Sequence, residues 1–401
     1  MIHVVGGTYL EHCREPYWYE LFGSGLRAAC ALRMLDVPVH FHTPIGENHR
    51  ALLEVKVETV EIKLTAIRTA ATILFDYLHP LSRPAIEPEN FINRCARKPL
   101  VIQVKADKVI RFGVMEGTAK VKAKMAVYDP QSPSNPRDFF ENGSSADQLA
   151  IILNSSEAAK LTGCVEPTDA ARKLMGTGAS VAIVKCGASG CVVASADGIE
   201  RIPSFRSARV WKIGSGDVFT ALFSWAWMEK KWSAAKAALS ASHGTAHYVE
   251  MRTFPNTNQM TVSRPALRPL ERSQQKQIYL AGPFFNLPQR WLIEEFLSVL
   301  RGTGVRVFSP VHDVGPGKAN KIYKADIAGL EASGVVLACL DGLDPGTIYE
   351  IGYAQRMRLP VIAFVSAERK EDLKMFIGGK CQVVHDFATA FYKAVWAATC
   401  E

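Results

Sequence analysis

Short runs of β-branched and aliphatic residues alternate along this chain with segments whose apolar residues recur every three or four positions. In the first 252 residues the runs MIHVV, VPVHFHT, KMAVYD, LAIILN and SVAIVKCG read as strands. GSGLRAACALRML and DVFTALFSWAWMEKK read as helices between them. The same alternation restarts near residue 278. IYLAG, RVFSP, GVVLACLD and PVIAFVS are strands there, and QRWLIEEFLSVLRG, IYKADIAGLEAS and TIYEIGYAQRMR are helices. Strands that alternate with helices predict parallel α/β sheets, which bind ligands at the carboxyl ends of their strands.

The pattern lapses twice. Residues 129–145, DPQSPSNPRDFFENGSS, read as a loop. Residues 252–277, RTFPNTNQMTVSRPALRPLERSQQKQ, are polar and carry three prolines, the composition of a linker. With 401 residues, more than one core is expected. The predicted organisation is a domain over 1–252, a linker over 253–276 and a smaller domain over 277–401, with no internal repeat.

Composition narrows the picture only a little. Hydrophobic residues make up 48% and charged residues 21%, as in a globular protein. The formal charge is +8, yet no dense basic tract or aromatic-basic stripe accompanies it. A mildly basic solvated surface is the plainer reading; small anionic substrates fit the charge as well as a polymer would, and no nucleic-acid polymer is expected as a partner. No apolar run has the length of a membrane span, and MIHVVGG lacks the features of a signal peptide, so a cytoplasmic location is expected. Nine cysteines show no metal-ligand spacing, so reduced thiols and no metal site are expected.

The chemistry concentrates in LDGLDPGTIYEIGYA, 340–354, where Glu350 interrupts an apolar helical run. One explanation is local: Thr347 as N-cap with Glu350 three residues on would make a capping box. The other is catalytic. Asp344 lies on the loop at a strand end, Asp326 on the preceding helix, and Tyr279 at the end of the first strand of this half. Carboxylates and a phenol at one sheet edge would raise at least one pKa, which suits acid–base work. Asp341 reads as a solvated or supporting acid.

YLAGPFFN, FSPVHD, IYKADIAGLEASGVVLACLDG and DPGTIYEIGYA, in that order, resemble the nucleoside 2-deoxyribosyltransferase family over essentially the whole second domain. The resemblance implies a small flavodoxin-like fold, a homo-oligomer, and cleavage of the N-glycosidic bond of a nucleoside or nucleotide without a cofactor. It assigns Glu350 as nucleophile, Asp344 as the acid for the departing base, Asp326 as the group holding the sugar, and Tyr279 as the phenol that tunes Glu350. Gly282, Phe284, Phe285 and Gly346 would contact substrate, although core packing is an equal explanation for one of the two phenylalanines. Transfer to a second base and transfer to water both stay open. A phosphate-binding serine would favour nucleotides; Ser309 and Ser333 are the candidates considered.

In the first domain, WKIGSGDVFTALFSWAWM opens a helix with Gly-x-Gly-Asp. Such glycines expose backbone amides to an anion, and the acid can take a proton from an attacking hydroxyl. An ordinary Asp N-cap is the plainer alternative. VVGGTYLEH, FGSGLRAACALRMLDVPVHFHTPIGE, LNSSEAAKLTG and VAIVKCGASGCVV precede it in an order that resembles the ribokinase-like (PfkB) sugar and nucleoside kinases over about 1–252. The resemblance implies a Rossmann-like sandwich with a small β lid, and use of ATP and Mg²⁺. It assigns Asp217 as base, Gly214, Ser215 and Gly216 as anion hole, and Asn154, Glu157, Lys185 and Gly187 around the nucleotide and metal. The chain departs from the family in three places. Trp211-Lys212-Ile213 replaces Asp-Thr-Thr, Glu11 stands for an early sugar-binding Asp, and GSGLRAA lacks the usual Asn.

The expectation is a fusion that breaks or exchanges an N-glycosidic bond through Glu350, joined to a domain that phosphorylates or senses a sugar or nucleoside. The alternative is a pseudokinase that senses a nucleotide and gates a nucleotide-depleting glycosidase.

Overall fold

The computed structural model describes residues 1–132, 134–261 and 267–400. The chain divides into two units, Met1–Leu78 with Ser82–Pro269, and His79–Leu81 with Leu270–Glu401. Both are α/β, as the alternating pattern predicts.

The first unit is built on a nine-stranded sheet. Its order is Gly198–Ile202, Cys191–Ser195, Val181–Lys185, Ser145–Asn154, Gly117–Asp129, Leu100–Phe112, Ile2–Val5, Val39–Gly46 and Lys63–Thr69. Cys191–Ser195 pairs antiparallel with both of its neighbours, and the remaining pairs are parallel. Ile2, Val4 and Phe41 face one core, with Leu26 of helix Gly23–Arg33 and Leu222 of helix Ser215–Ser224. Val5, Leu149 and Leu153 face a second core with Ala171 and Leu174 of helix Pro167–Met175. A separate four-stranded sheet, Trp18–Leu21, Leu10–Cys13, Leu74–Tyr77 and Ala85–Glu87, corresponds to the small lid.

Leu100–Phe112 and Gly117–Asp129 pair in parallel over their whole length, yet only four residues join them. Straight strands of that length would span about 40 Å, whereas such a connection reaches at most roughly 18 Å. Both strands must therefore double back. The register locates the corner, because it passes from Ala106↔Ala123 to Lys108↔Met125 and omits Asp107 and Lys124. The next strand omits Asp147 at the same level. These three exposed residues alternate in sign, and Lys124 Nζ lies 3.1 Å from Asp107 Oδ1. Three arched strands thus stack where helical crossovers would ordinarily be needed. Their final arms deliver Asp129 and Asn154 to the edge that also carries Lys185.

The second unit has a wholly parallel sheet in the order Val307–Phe308, Ile278–Ala281, Val335–Cys339, Val361–Phe364, Gln382–Val384. In chain order this is 2-1-3-4-5, the flavodoxin-like arrangement, whose crevice opens between its first and third strands. Tyr279, Val336 and Ala338 share one core with Leu330 of helix Ala319–Glu331 and Ile351 and Ala354 of helix Pro345–Arg356. Helices Leu287–Arg301 and Phe387–Thr399 make the other layer, where Phe296 stacks on Phe387 with ring centroids 4.0 Å apart.

Residues 253–276 are not structureless on either side of 262–266, which lie outside the described residues. Helix Thr257–Thr261 falls there, and Met260, Leu267 and Leu270 are buried. Phe205 bridges to Pro269, and the Arg206 amide donates to the Arg268 carbonyl. Isolated apolar residues in a polar sequence do this packing, and they leave no periodic signature.

Candidate active sites

In the second unit, Tyr279 and Glu350 come from strand Ile278–Ala281 and helix Pro345–Arg356, and both face the core layer formed with helix Ala319–Glu331. The Tyr279 hydroxyl donates to Glu350 Oε1 at 2.6 Å. Burial pushes the Glu350 carboxyl up to about 7; the Tyr279 hydrogen bond works against this, and Asp326 and Asp344 add to it. Burial raises the Asp326 carboxyl as well. Its Oδ1 is buried and has no hydrogen-bond partner among the described residues. Burial and then the negative charge of Glu350 hold the Tyr279 phenol well above its ordinary range.

The capping box does not form. Helix Pro345–Arg356 starts one turn earlier than that reading requires, with Asp344 as its N-cap. Asp344 Oδ2 accepts from the Thr347 amide at 2.7 Å and from the Thr347 hydroxyl at 2.9 Å. Pro345 and Gly346 occupy the first two helical positions, and Pro there is pre-shaped for a helix start. Glu350 is therefore six residues past the cap, too far to satisfy it. Its carboxylate meets a phenol instead.

The other positions are placed as follows. Phe284 and Phe285 stack with centroids 5.1 Å apart, and Phe285 is 70% exposed, so at least this ring is not core. Gly282 allows close packing, because a Cβ there would lie 2.7 Å from Ile293 Cδ1. Asp341 pins a loop by accepting from the Ser366 and Ala367 amides. Ser309 is bonded to His312 at 2.9 Å, and Ser333 donates to the Gly329 carbonyl at 2.8 Å, so both hydroxyls serve local structure.

In the first unit, Asp217 lies in the first turn of helix Ser215–Ser224, behind Gly214 at φ 73°. It lines a cleft of about 1150 Å³ together with Glu11, Arg27, Arg83, Gln131 and Arg137. Arg27 is 1% exposed. Its Nη1 donates to Asp217 Oδ2 and to Glu11 Oε1, each at 2.9 Å, and its Nη2 donates to Glu11 Oε2. Its Nε reaches the Tyr248 hydroxyl at 3.1 Å. Burial opposes the guanidinium charge, and Glu11, Tyr248 and Asp217 outweigh it, so its pKa lies above the ordinary value. Gln131 Nε2 donates to Asp217 Oδ1 at 2.5 Å, so both oxygens of this acid are engaged. A Cβ on Gly214 would lie 2.1 Å from Arg27 Nε.

Around this acid, Lys185 Nζ bonds Asp129 Oδ2 at 2.7 Å, and the Thr220 hydroxyl donates to the same oxygen at 3.0 Å. Asn154 and Glu157 close a capping box on each other, through the Glu157 amide to Asn154 Oδ1 at 2.9 Å and the Asn154 amide to Glu157 Oε2 at 3.0 Å. Lys212 donates to the Ser215 hydroxyl at 2.9 Å. Burial, with nearby Lys185, draws the Lys212 ammonium down to about 8. A Cβ on Gly216 would lie 3.4 Å from Lys185 Nζ. Gly187 begins a short 3₁₀ turn after the Lys185 strand. Sequence reasoning missed Asp129, Gln131 and Arg27. The signal for Arg27 was present: GSGLRAA puts an arginine in an otherwise small and apolar helix face.

Among the described residues no helix is long and apolar enough to cross a membrane. The family model of pfkB carbohydrate kinases matches residues 22–249, and that of nucleoside 2-deoxyribosyltransferases matches residues 278–387. No curated protein matches the chain. Among solved structures, the ribokinase of Thermotoga maritima is similar at 16% identity and a TM-score of 0.49, over 65% of this chain and 97% of that one. The nucleoside kinase of Methanocaldococcus jannaschii is similar at 14% identity and 0.49, over 65% and 96%. Aminoimidazole riboside kinase of Salmonella enterica, complexed with aminoimidazole riboside and an ATP analogue, gives 15% and 0.47, over 65% and 97%. The first family match extends over more than half of the residues, and the second lies wholly beyond it: the chain belongs to the pfkB carbohydrate kinase family and is fused to a nucleoside 2-deoxyribosyltransferase-family domain.

Proposed function

We propose that this protein cleaves the N-glycosidic bond of a nucleoside or nucleotide through Glu350, and that its kinase-family half binds a nucleoside or nucleotide without phosphorylating it. The observation that carries the first part is the 2.6 Å hydrogen bond from Tyr279 to Glu350. It holds one carboxylate oxygen and leaves the other for the anomeric carbon. In the first step Glu350 forms a bond to that carbon while the carbon–nitrogen bond breaks, and its electron pair leaves with the base. The base nitrogen takes a proton from Asp344, whose Oδ1 is not used in capping, and Asp326 holds the sugar hydroxyls. In the second step water or a free base gives its proton to the Asp344 carboxylate and attacks the same carbon, and the carbon–Glu350 bond breaks to return Glu350 to its carboxylate form.

The second part rests on Arg27. A base has to present a lone pair to the substrate hydroxyl, and the hydrogen bonds from Arg27 and Gln131, one on each oxygen of Asp217, compete with that approach. The Ser215 amide donates to the Lys212 carbonyl at 3.1 Å, which leaves Lys185, Lys212 and the amides at Gly214 and Gly216 to hold the phosphates of ATP or another phosphorylated ligand. Mg²⁺ would be held by carboxylate oxygens, and Asp129, which bonds both Lys185 and Thr220 through Oδ2, would offer it Oδ1. The open cleft beside Asp217 favours a second reading, in which substrate displaces Arg27 and phosphoryl transfer follows.

The test is chromatographic. The full chain and Glu350→Ala are incubated with deoxynucleosides, deoxynucleotides and NAD, with and without a second base, and with and without ATP. Base release that vanishes in Glu350→Ala is expected, and ATP is expected to change its rate without being consumed. Equal release by both proteins would overturn the assignment of Glu350.

A further inference from the structure

The large sheet of the first unit carries a cluster that neither candidate site uses. His3 lies on Ile2–Val5, and His40 and His42 lie on Val39–Gly46. These strands pair in parallel with His3 beside His40 and Val5 beside His42. Side chains two apart on a strand share a face, so all three imidazoles project from the same side. His3 Nδ1 and His42 Nε2 are 3.0 Å apart. The ring centroids of His40 and His42 are 4.1 Å apart, and those of His3 lie 4.9 Å from His40 and 5.3 Å from His42. One ring nitrogen from each residue lies within 4.8 Å of the other two.

Their chemistry is that of neutral donors. Burial lowers the pKa of all three, His42 to about 4, and the neighbouring imidazoles, Lys63 and the chain's N-terminal amine add to it. A neutral imidazole offers one lone pair, and the 3.0 Å contact between His3 and His42, in which one ring donates to the other, is exchanged for metal bonds when an ion enters. Thr65, on the adjacent strand, holds His40 Nε2 at 2.8 Å and fixes that ring. An outer hydroxyl of this kind orients a ligating imidazole. The charged groups facing the trio are cationic, and Lys63 is exposed. An ion there would be held by donor bonds and not by opposite charge.

We infer that His3, His40 and His42 form a binding site for a divalent transition-metal ion of the zinc class. Three imidazoles and no carboxylate suit Zn²⁺, Co²⁺ or Cu²⁺ and not Mg²⁺ or Ca²⁺. Tetrahedral ligands at zinc bond lengths stand about 3.3 Å apart. The His3–His42 pair has to open only slightly, and rotation of partly exposed rings closes the longer separation. The fourth position is left to water. Bound metal would tie the first strand of the chain to its neighbour. Sequence spacing hides the trio, because His3 and His42 are 39 residues apart.

The test uses Co²⁺ as a visible probe, added to chelator-treated, tag-free full chain under reducing conditions. One equivalent is expected to bind with the absorption of a tetrahedral nitrogen site and to be displaced by Zn²⁺. His42→Asn and, separately, the more accessible His3→Gln are expected to weaken binding about 100-fold or more, while base release stays unchanged. Lys63→Gln is expected to tighten binding a few-fold by removing a like charge. Metal-free melting curves of each variant show whether it folds. Unchanged affinity in the folded histidine variants, or the intense near-ultraviolet bands of thiolate ligation, would overturn the inference and assign the metal to cysteines.

Discussion

The Arg27 guanidinium donates to Asp217 Oδ2 at 2.9 Å, and both side chains are buried. Asp217 is the acid that the sequence resemblance assigns as the base for an attacking hydroxyl, so under that assignment this contact bears directly on whether the first half transfers phosphate. The expected outcome is no ATP consumption above background with sugars or nucleosides, for the wild type and Asp217→Asn alike. Turnover in the wild type that disappears in Asp217→Asn would show that substrate displaces Arg27.

The same contact makes a stability prediction. Arg27 is the cation between the buried carboxylates of Glu11 and Asp217. Arg27→Ala leaves both acids without it and should cost roughly 3–5 kcal/mol in urea denaturation. Replacing the whole cluster, as Arg27→Met with Glu11→Gln and Asp217→Asn, should recover a large part of that loss. A triple variant as unstable as Arg27→Ala would show that packing of the arginine stem is the dominant contribution.

Glu350 gives a pH prediction. As a nucleophile it must be ionised, so base release under single-turnover conditions should rise with pH through about 7. The Tyr279 hydroxyl favours the ionised form. Tyr279→Phe should therefore move the rising limb to higher pH as well as slow the reaction. A limb that stays in place would mean another group titrates.

Stability should carry the opposite signature. The Glu350 pKa is raised on folding from 4.5 to about 7, so across that window the folded state holds the proton more tightly than the unfolded chain does. This group's contribution to stability is fully present below pH 4.5 and is lost as pH rises to about 7. Glu350→Gln should remove that part of the slope in denaturation midpoint against pH.

Asp344 serves two ends that substitution can separate. Asp344→Asn keeps an acceptor for the Thr347 amide and should leave stability nearly unchanged, while losing about 10²- to 10⁴-fold in base release if the acid delivers a proton. Asp344→Ala also removes the cap and should cost about 1 kcal/mol. Equal activity in the Asn variant and the wild type would leave Asp344 as a cap alone.

Periodicity and motif order made much of this protein legible. The strands Ile278–Ala281 and Val335–Cys339 and the helices around them coincide with apolar runs of the right period, because burial imposes that period on any sheet with helices packed against it. The pairing of Tyr279 with Glu350 was also within reach, since both flank the crevice that such a strand order creates. Thr347 was harder. The letters Thr-x-x-Glu suit a capping box, yet one further turn of helix, started by Asp344 and Pro345, was equally compatible with the sequence. That choice depends on where the preceding strand ends.

What only the tertiary structure decided is the set of long-range encounters. Glu11, Arg27, Gln131 and Asp217 converge from separate segments, and although Arg27 stands out on its apolar helix face, no local pattern names the partners that satisfy its charge. The arched strands are another case. Residues 100–129 carry alternating polar and apolar positions that fit a straight strand and a folded one equally well, and four connecting residues settle the matter only once the parallel register is known. The histidine trio is a third, formed by register across two strands. Sequence by itself determined the two families and most strands and helices of the second half, and pointed to its acids, because these follow from local period and motif. Which side chains neutralise or occupy one another was decided by the fold, because burial makes an unpaired charge costly wherever its partner lies in the chain.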